Sequence, residues 1–451
     1  MGVPLGFPSS YSDPWLDLAG SQLLPKSSSP TPCGRASSSG SVGCPLNMCC
    51  SKGGFCGNTD SYCSVDQGCQ SSVGPCHTVP PPQCNSSKRT ASSGRSIGYY
   101  SGSNVHVRPC DIVRPQDIDV SRYTHLYYTF ANINPTTFAV EQRPQDNDTM
   151  YRAFTALSRK SSTTTTTTRD GKRARPPPET WIAVGGGNFS SSPGSDTYTT
   201  WSDMASTAEN RAAFVKSLVA FMEKYGFQGV DLDWEYPGIK AYGGASPDTE
   251  KLVRLVKDMR DAFGRRFGIS MVLPHHKPYL MEYDLKALEP YVDSFGFMAY
   301  DLHGIWEKGS DGTGKVQGQA DIREIGMAMT PLWSAGVDPA KINLGLPYYG
   351  RGYTLKSETC ADLGCTFTGP SVPGKCAQSR GIMMLSEIQQ LLGEGTAKSS
   401  TIPGAMMKKL TWSDQWVGYD DEDTMRQKTQ WADGKCLGGV MYWSVDQDVH
   451  P

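Results

Sequence analysis

Residues Gly229-Val230-Asp231-Leu232-Asp233-Trp234-Glu235 place a carboxylate at every second position. Successive side chains of a strand point to opposite faces, so Asp231, Asp233 and Glu235 share one face and Val230, Leu232 and Trp234 the other. The apolar face needs a hydrophobic partner, which argues against a solvated edge strand. The acidic face then looks into a confined space, where burial and like charges both disfavour ionisation. A carboxyl kept protonated in this way can serve as a general acid near neutral pH. Glu235, at the end of the row, is the candidate acid, and the three groups should titrate as one coupled unit. A divalent-metal site is the other use such a row could have.

Positioning the row requires a strand with helices behind it. Strand patterns fall at 97–101, 125–133, 181–184, 229–234, 269–273, 294–300, 342–346 and 438–444. Helical patterns lie between them at 149–159, 209–225, 249–267, 285–291, 321–335 and 422–432. Within 210–225, Phe214, Leu218, Phe221 and Met222 share one helical face. The alternation predicts an α/β fold with a parallel sheet, and eight strands predict a closed (β/α)8 TIM barrel. Active sites of such barrels lie at the C-terminal ends of the strands, the direction in which the acidic row runs. No Gly-x-Gly-x-x-Gly follows the first strand, which argues against dinucleotide binding. Two inserts break the rhythm. Residues 161–178, with six consecutive Thr and three Pro, predict an exposed loop. Residues 355–409, after the seventh strand, carry Cys360, Cys365 and Cys376 and predict a small subdomain over the barrel.

Charged residues make up 20% of the 451-residue chain and the net charge is −2, which excludes a nucleic-acid or anionic-membrane binder on electrostatic grounds. No stretch is apolar enough to span a membrane. Of the 14 cysteines, eight fall within residues 33–76, a Gly- and Ser-rich segment. That clustering predicts disulfides, hence an oxidising, extracellular setting. Zinc is the rival use, but Cys-x-x-Cys pairs are missing and His77 is the sole histidine nearby. Residues 1–32 are rich in Pro, Ser and Gly and predict a disordered segment; they carry no secretory signal pattern, and the expectation is that a leader lies upstream. Residues 77–95, with Pro80-Pro81-Pro82, predict a flexible linker between the Cys-rich module and the barrel at 96–451.

The acidic strand resembles the Asp-Gly-x-Asp-x-Asp-x-Glu signature of glycoside hydrolase family 18. Further matches follow in order along residues 96–448. Gly185-Gly186 resembles the family's third-strand motif, and Met298-Ala299-Tyr300-Asp301 its sixth. Gly345-Leu346-Pro347-Tyr348-Tyr349-Gly350-Arg351 resembles the seventh, and Gly439-Val440-Met441-Tyr442-Trp443-Ser444 the eighth. The resemblance implies a chitinase of the fungal, toxin-like group that needs no cofactor or metal. It implies substrate-assisted catalysis with retention, in which Glu235 protonates the leaving oxygen and the substrate's own acetamido carbonyl attacks the anomeric carbon. Asp233 would then orient the acetamido group, Asp231 would hold Asp233, and Tyr300 would bond the acetamido carbonyl. Asp301 and Arg351 would contact sugar. Trp443 would floor the pocket, Trp306 would offer a stacking face, and Tyr99, Phe130 and Met298 would wall it. Three departures from the family are visible. Gln228 replaces the signature's first Asp, at a position expected to join the acidic face. The third-strand motif lacks its usual Ser and Trp. The chain ends after the eighth strand, so its final helix is missing and a seam between last and first strands is expected.

The spacing Cys33, Cys44, Cys49, Cys50, Cys56, Cys63, Cys69, Cys76 resembles the hevein-like module of carbohydrate-binding module family 18. That resemblance implies the pairs Cys33–Cys50, Cys44–Cys56, Cys49–Cys63 and Cys69–Cys76, and chitin binding by Ser51, Phe55 and Tyr62. Gly53 stands where an aromatic is usual, which implies weaker binding. The expectation is therefore a secreted, monomeric chitinase anchored to chitin and acting on N-acetylglucosamine oligomers. A chitin-binding lectin on an inactive barrel is the alternative. An endo-N-acetylglucosaminidase acting on glycoproteins is a weaker third reading.

Overall fold

The computed structural model describes residues 32–84, 90–159 and 176–449. The expectations for residues 1–31, and for most of the Thr-rich insert, lie outside the described residues.

Eight parallel strands form the barrel: β1 (Arg95–Ser101), β2 (His125–Ile133), β3 (Glu179–Gly185), β4 (Gly229–Asp233), β5 (Gly268–Pro274), β6 (Ser294–Met298), β7 (Ile342–Pro347) and β8 (Gly439–Trp443). Each pairs with its neighbours in chain order, and β8 pairs with β1 from Gly439 opposite Arg95 to Trp443 opposite Tyr99. The anticipated seam is therefore absent. Backbone hydrogen bonds along the strand edges close a barrel, whereas a helix covers only the outer face. Most strands are buried along nearly their whole length, as a parallel sheet covered on both faces requires.

The helices that cover the sheet include α1 (Asp148–Thr155), α2 (Ala208–Tyr225), α3 (Asp248–Phe263), α4 (Lys277–Leu280), α5 (Leu285–Leu288), α6 (Ile322–Ala328), α7 (Thr330–Ser334) and α8 (Glu422–Gly434). The hydroxyl of Thr207 accepts the Asn210 N–H to start α2, and Gly226 ends it in the left-handed conformation, φ 88°. Phe214, Leu218 and Met222 of α2 are fully buried. The single helix predicted over 321–335 is two, because Pro331 has no N–H to continue the ladder. The predicted strand 294–300 stops at Met298, and the chain then turns through Asp301 at φ 57°.

A second, seven-stranded antiparallel sheet takes six strands from the chain beyond β7 and one, Gly314–Lys315, from the segment between β6 and β7. Its central strands, Tyr349–Leu355 and Gln415–Tyr419, pair directly, with Arg351 opposite Gly418. Its strands after β7 run from Tyr349 to Tyr419 and so extend outside the predicted 355–409 window.

The four module disulfides are Cys33–Cys50, Cys44–Cys56, Cys49–Cys63 and Cys69–Cys76. Three more, which the sequence left unpaired, are Cys84–Cys436, Cys110–Cys376 and Cys360–Cys365. No free cysteine remains among the described residues. The grouping of Cys33, Cys44 and Cys50 is thus a disulfide knot, with its sulfurs unavailable to a metal.

The linker is not free over its described ends. Cys84 is bonded to Cys436, its N–H donates to the Gly434 carbonyl at 3.1 Å, and the N–H groups of Ala91 and Ser92 donate to Asp433 Oδ1 at 2.8 and 2.9 Å.

Candidate active site

The acidic row lies inside the barrel at the C-terminal end of β4. Asp231 is fully buried between β3 and β5, in register with Ala183 and Ser270. Both its oxygens are satisfied: Tyr99 Oη donates to Oδ2 at 2.7 Å and Ser270 Oγ to Oδ1 at 2.5 Å. Burial raises its pKa, and the two hydroxyls and a hydrogen bond with Asp233 work against that rise. Asp233 has no such donors. Burial pushes its carboxyl far above the usual range, and the charges of Asp231 and Glu235 add to the shift. Its Oδ1 is buried without a hydrogen-bond partner. With donors on both Asp231 oxygens and none on Asp233, the two carboxyls titrate as a coupled pair in which burial favours the protonated form.

Glu235 lies two residues past the end of β4. Its carboxyl bonds the Tyr236 side chain and the Gly187 N–H, while its backbone carbonyl accepts from Ser190 Oγ at 2.9 Å. Burial raises its pKa to about 7; the nearby charge of Asp301 adds to this, and the bonds from Tyr236 and Gly187 oppose it. Gly185 and Gly186 explain themselves here. Both have positive φ, a Cβ at Gly185 would lie 2.5 Å from the Asp233 carbonyl oxygen, and one at Gly186 would lie 2.6 Å from the Phe130 ring. The Gly186 N–H donates to that same carbonyl at 2.9 Å.

Aromatic rings surround the row. Trp443 packs against Tyr99 at 5.5 Å and against Phe130 at 5.6 Å, and Met298 and Tyr300 join the same apolar group. Asp301 receives two bonds from Arg351, at 2.6 and 2.7 Å, and one from Tyr349 Oη at 2.5 Å. Burial would raise the Asp301 pKa, but the guanidinium outweighs it and holds the carboxyl ionised. The Arg351 guanidinium also sits 4.7 Å from the Trp306 ring. His303 clamps the turn that carries Trp306: Nδ1 lies 2.8 Å from Glu307 Oε1 and Nε2 lies 2.6 Å from Glu324 Oε2. Both nitrogens can donate only as imidazolium. Burial opposes that charge, yet the two glutamates raise the pKa to about 9.

The structure thus gathers Asp231, Asp233, Glu235, Tyr300, Asp301, Tyr99, Phe130, Met298, Trp443, Arg351 and Trp306 around one barrel mouth. Ser51, Phe55 and Tyr62 lie apart, on the Cys-rich module. There Ser51 Oγ accepts the Phe55 N–H at 3.1 Å, Phe55 is 47% exposed, and Tyr62 is half-buried. Gln228 does not join the row. It precedes β4 on the opposite parity, is exposed, and its Oε1 accepts the Thr180 N–H at 2.9 Å. Ser270, Tyr349, Tyr236 and the Gly187 N–H went unnoticed in the sequence. Ser270 is a lone hydroxyl in an apolar strand, and Tyr349 shares parity with Arg351; both signals were legible. The roles of Tyr236 and Gly187 depend on the turns after β4 and β3.

A carboxylate row at the mouth of an eight-stranded barrel, walled by aromatic rings, defines the class of glycoside-cleaving barrels. Within that class the chain belongs to family 18 of the glycosyl hydrolases, whose family model matches residues 95–448. Residues 32–76 match the model described as chitin recognition protein. The chain is 28% identical to Chitotriosidase-1 of Mus musculus, over 74% of this chain and 69% of that protein. It spans between 59% and 69% of the length of the curated relatives it matches. The catalytic domain 2 of the Group II chitinase from Ostrinia furnacalis is 26% identical, with a TM-score of 0.67 over 78% of this chain and 90% of that one. A mutant family 18 chitinase from Cycas revoluta, solved in complex with (GlcNAc)4, is 27% identical, with a TM-score of 0.65 over 78% of this chain and 96% of that one.

Proposed function

We propose that the chain is a chitinase that cleaves the β-1,4 bond between N-acetylglucosamine units with retention, using the substrate's acetamido group as nucleophile. The carrying observation is the buried row in which both Asp231 oxygens accept hydroxyl hydrogen bonds while Asp233 keeps an unpartnered oxygen beside a Glu235 with a pKa of about 7. Glu235 gives its proton to the glycosidic oxygen as the bond to the anomeric carbon breaks. The acetamido carbonyl oxygen closes on that carbon, and the free Asp233 oxygen takes the acetamido N–H. Water activated by the now ionised Glu235 then opens the ring and restores the configuration. Tyr300, which feels the charges of Asp233 and Glu235, bonds the acetamido oxygen. Trp443, with Tyr99 and Phe130 behind it, floors the reacting sugar, and Met298 lines the wall. Arg351, Asp301 and Trp306 form a neighbouring subsite. The relatives solved with N-acetylglucosamine oligomers support this substrate class.

Residues 33–76 form the chitin-binding unit in this reading and residues 96–451 the catalytic unit, with the antiparallel sheet as its insertion. The seven disulfides support action outside the cell, and we take the working form to be a monomer. A fluorogenic chitotrioside tests the proposal. The parent should turn it over, Glu235→Gln should lose nearly all turnover, and both should be retained on chitin beads. A parent that binds beads without any turnover would make the chain a chitin-binding lectin instead.

A further inference from the structure

The Cys-rich module is packed against the barrel. Asn47 Nδ2 donates to the Ser334 carbonyl at 3.2 Å and Asn58 Nδ2 to Thr330 Oγ1 at 2.5 Å, both on α7. From α4, Lys277 Nζ donates to the Cys56 carbonyl at 2.9 Å and lies 5.6 Å from the centre of the Tyr62 ring. Leu46 and Met48 belong to the same continuous apolar cluster as the barrel core. Cys56 directly follows Phe55, so the lysine anchors the residue beside the module's exposed ring.

Lys277 also stands at the end of a line of rings that begins at the candidate acid. Tyr236 bonds Glu235, its ring lies 4.8 Å from Tyr279, and Tyr279 lies 4.7 Å from His276, the neighbour of Lys277. Tyr236 and His276 are half-buried. Ring faces stack on the C–H faces of sugars, and a chitin chain presents such a face on every unit.

Building on the chitinase reading, we infer that module and barrel form one continuous chitin track in which the module works docked. A single chain runs from the catalytic mouth past Tyr236 and His276 onto Phe55 and Ser51. Lys277 is the joint that fixes the module in line. A freely tethered module would raise the local concentration of enzyme on chitin. A docked one also holds a chain that is already in the groove, with no ordering cost for the module at each binding event.

The full chain carrying Asn47→Arg with Asn58→Arg tests this, because both changes lie at the seam and outside both sugar-binding faces. The parent should scatter X-rays as one compact particle. The double variant should keep parental turnover of the chitotrioside and parental retention on chitin beads, which shows that barrel and module are folded. Its hydrolysis of insoluble chitin should fall at least fivefold, to the level of Phe55→Ala. A parent that scatters as two loosely joined bodies overturns the inference, and so does a double variant that degrades insoluble chitin at the parental rate. Failure of the chitinase reading looks different: the parent itself would not turn over the chitotrioside.

Discussion

At the scale of single residues, the site divides three carboxyls by the donors each one receives. Asp231 has two hydroxyl donors and Asp233 has neither, so burial raises both carboxyls in the same strand but is opposed by these hydroxyl donors only at Asp231. Removing a hydroxyl should blur that division. Tyr99→Phe leaves Asp231 one donor short, and kcat/KM is expected to fall about tenfold, a loss of about 1.4 kcal/mol, with a shifted acidic limb in its pH profile. Glu235 makes a separate prediction through stability. Its folded pKa of about 7 exceeds its ordinary 4.5, so the folded state binds the extra proton and loses stability as pH rises across that window. Glu235→Gln removes the ionisation. It should stabilise the protein at pH 8, by on the order of 3 kcal/mol, and leave the stability at pH 4 nearly unchanged. Thermal melts at both pH values check the sign.

At the scale of elements, the strand period of two was enough to place Asp231, Asp233 and Glu235 on one face. It also excludes Gln228, which stands three residues before Asp231 and therefore faces the other way. Tyr99 and Ser270 could be tied to Asp231 only through register between strands, and register is a property of pairing rather than of either strand. Helix length was legible where a glycine ends it, as at Gly226, but the helix predicted over 321–335 runs through the break before Pro331, and α5 is only one turn long. The turn after β6 gives the prediction proper to this scale. His303 holds it through Glu307 and Glu324, with a folded pKa raised from 6.5 to about 9. Its contribution is full below pH 6.5 and is lost as pH rises through 9. His303→Gln should raise KM for long oligomers severalfold with little change in kcat, and should remove that alkaline loss of stability.

At the scale of the molecule, three disulfides outside the module do different work. Cys110–Cys376 ties the loop after β1 to the antiparallel sheet, and Cys360–Cys365 closes a small loop within the sheet's own insertion. Cys84–Cys436 joins the segment before β1 to the segment before β8, across a separation of 352 residues. Closing so long a loop restricts the unfolded chain, and replacing both cysteines with serine should cost about 2–5 kcal/mol, read as a lower melting temperature. The two long-range pairings were not legible in the cysteine spacing, because their partners are 352 and 266 residues apart in the chain, whereas Cys360–Cys365 spans only 5.

That last bond has a consequence for how the protein meets proteases. Every peptide bond between Cys84 and Cys436 lies inside a covalent ring. A single cut there opens the ring without releasing a piece, and the nicked barrel keeps its two ends joined beside β1 and β8. On a gel the nicked chain should run as one species until a reductant is added, and only then as two.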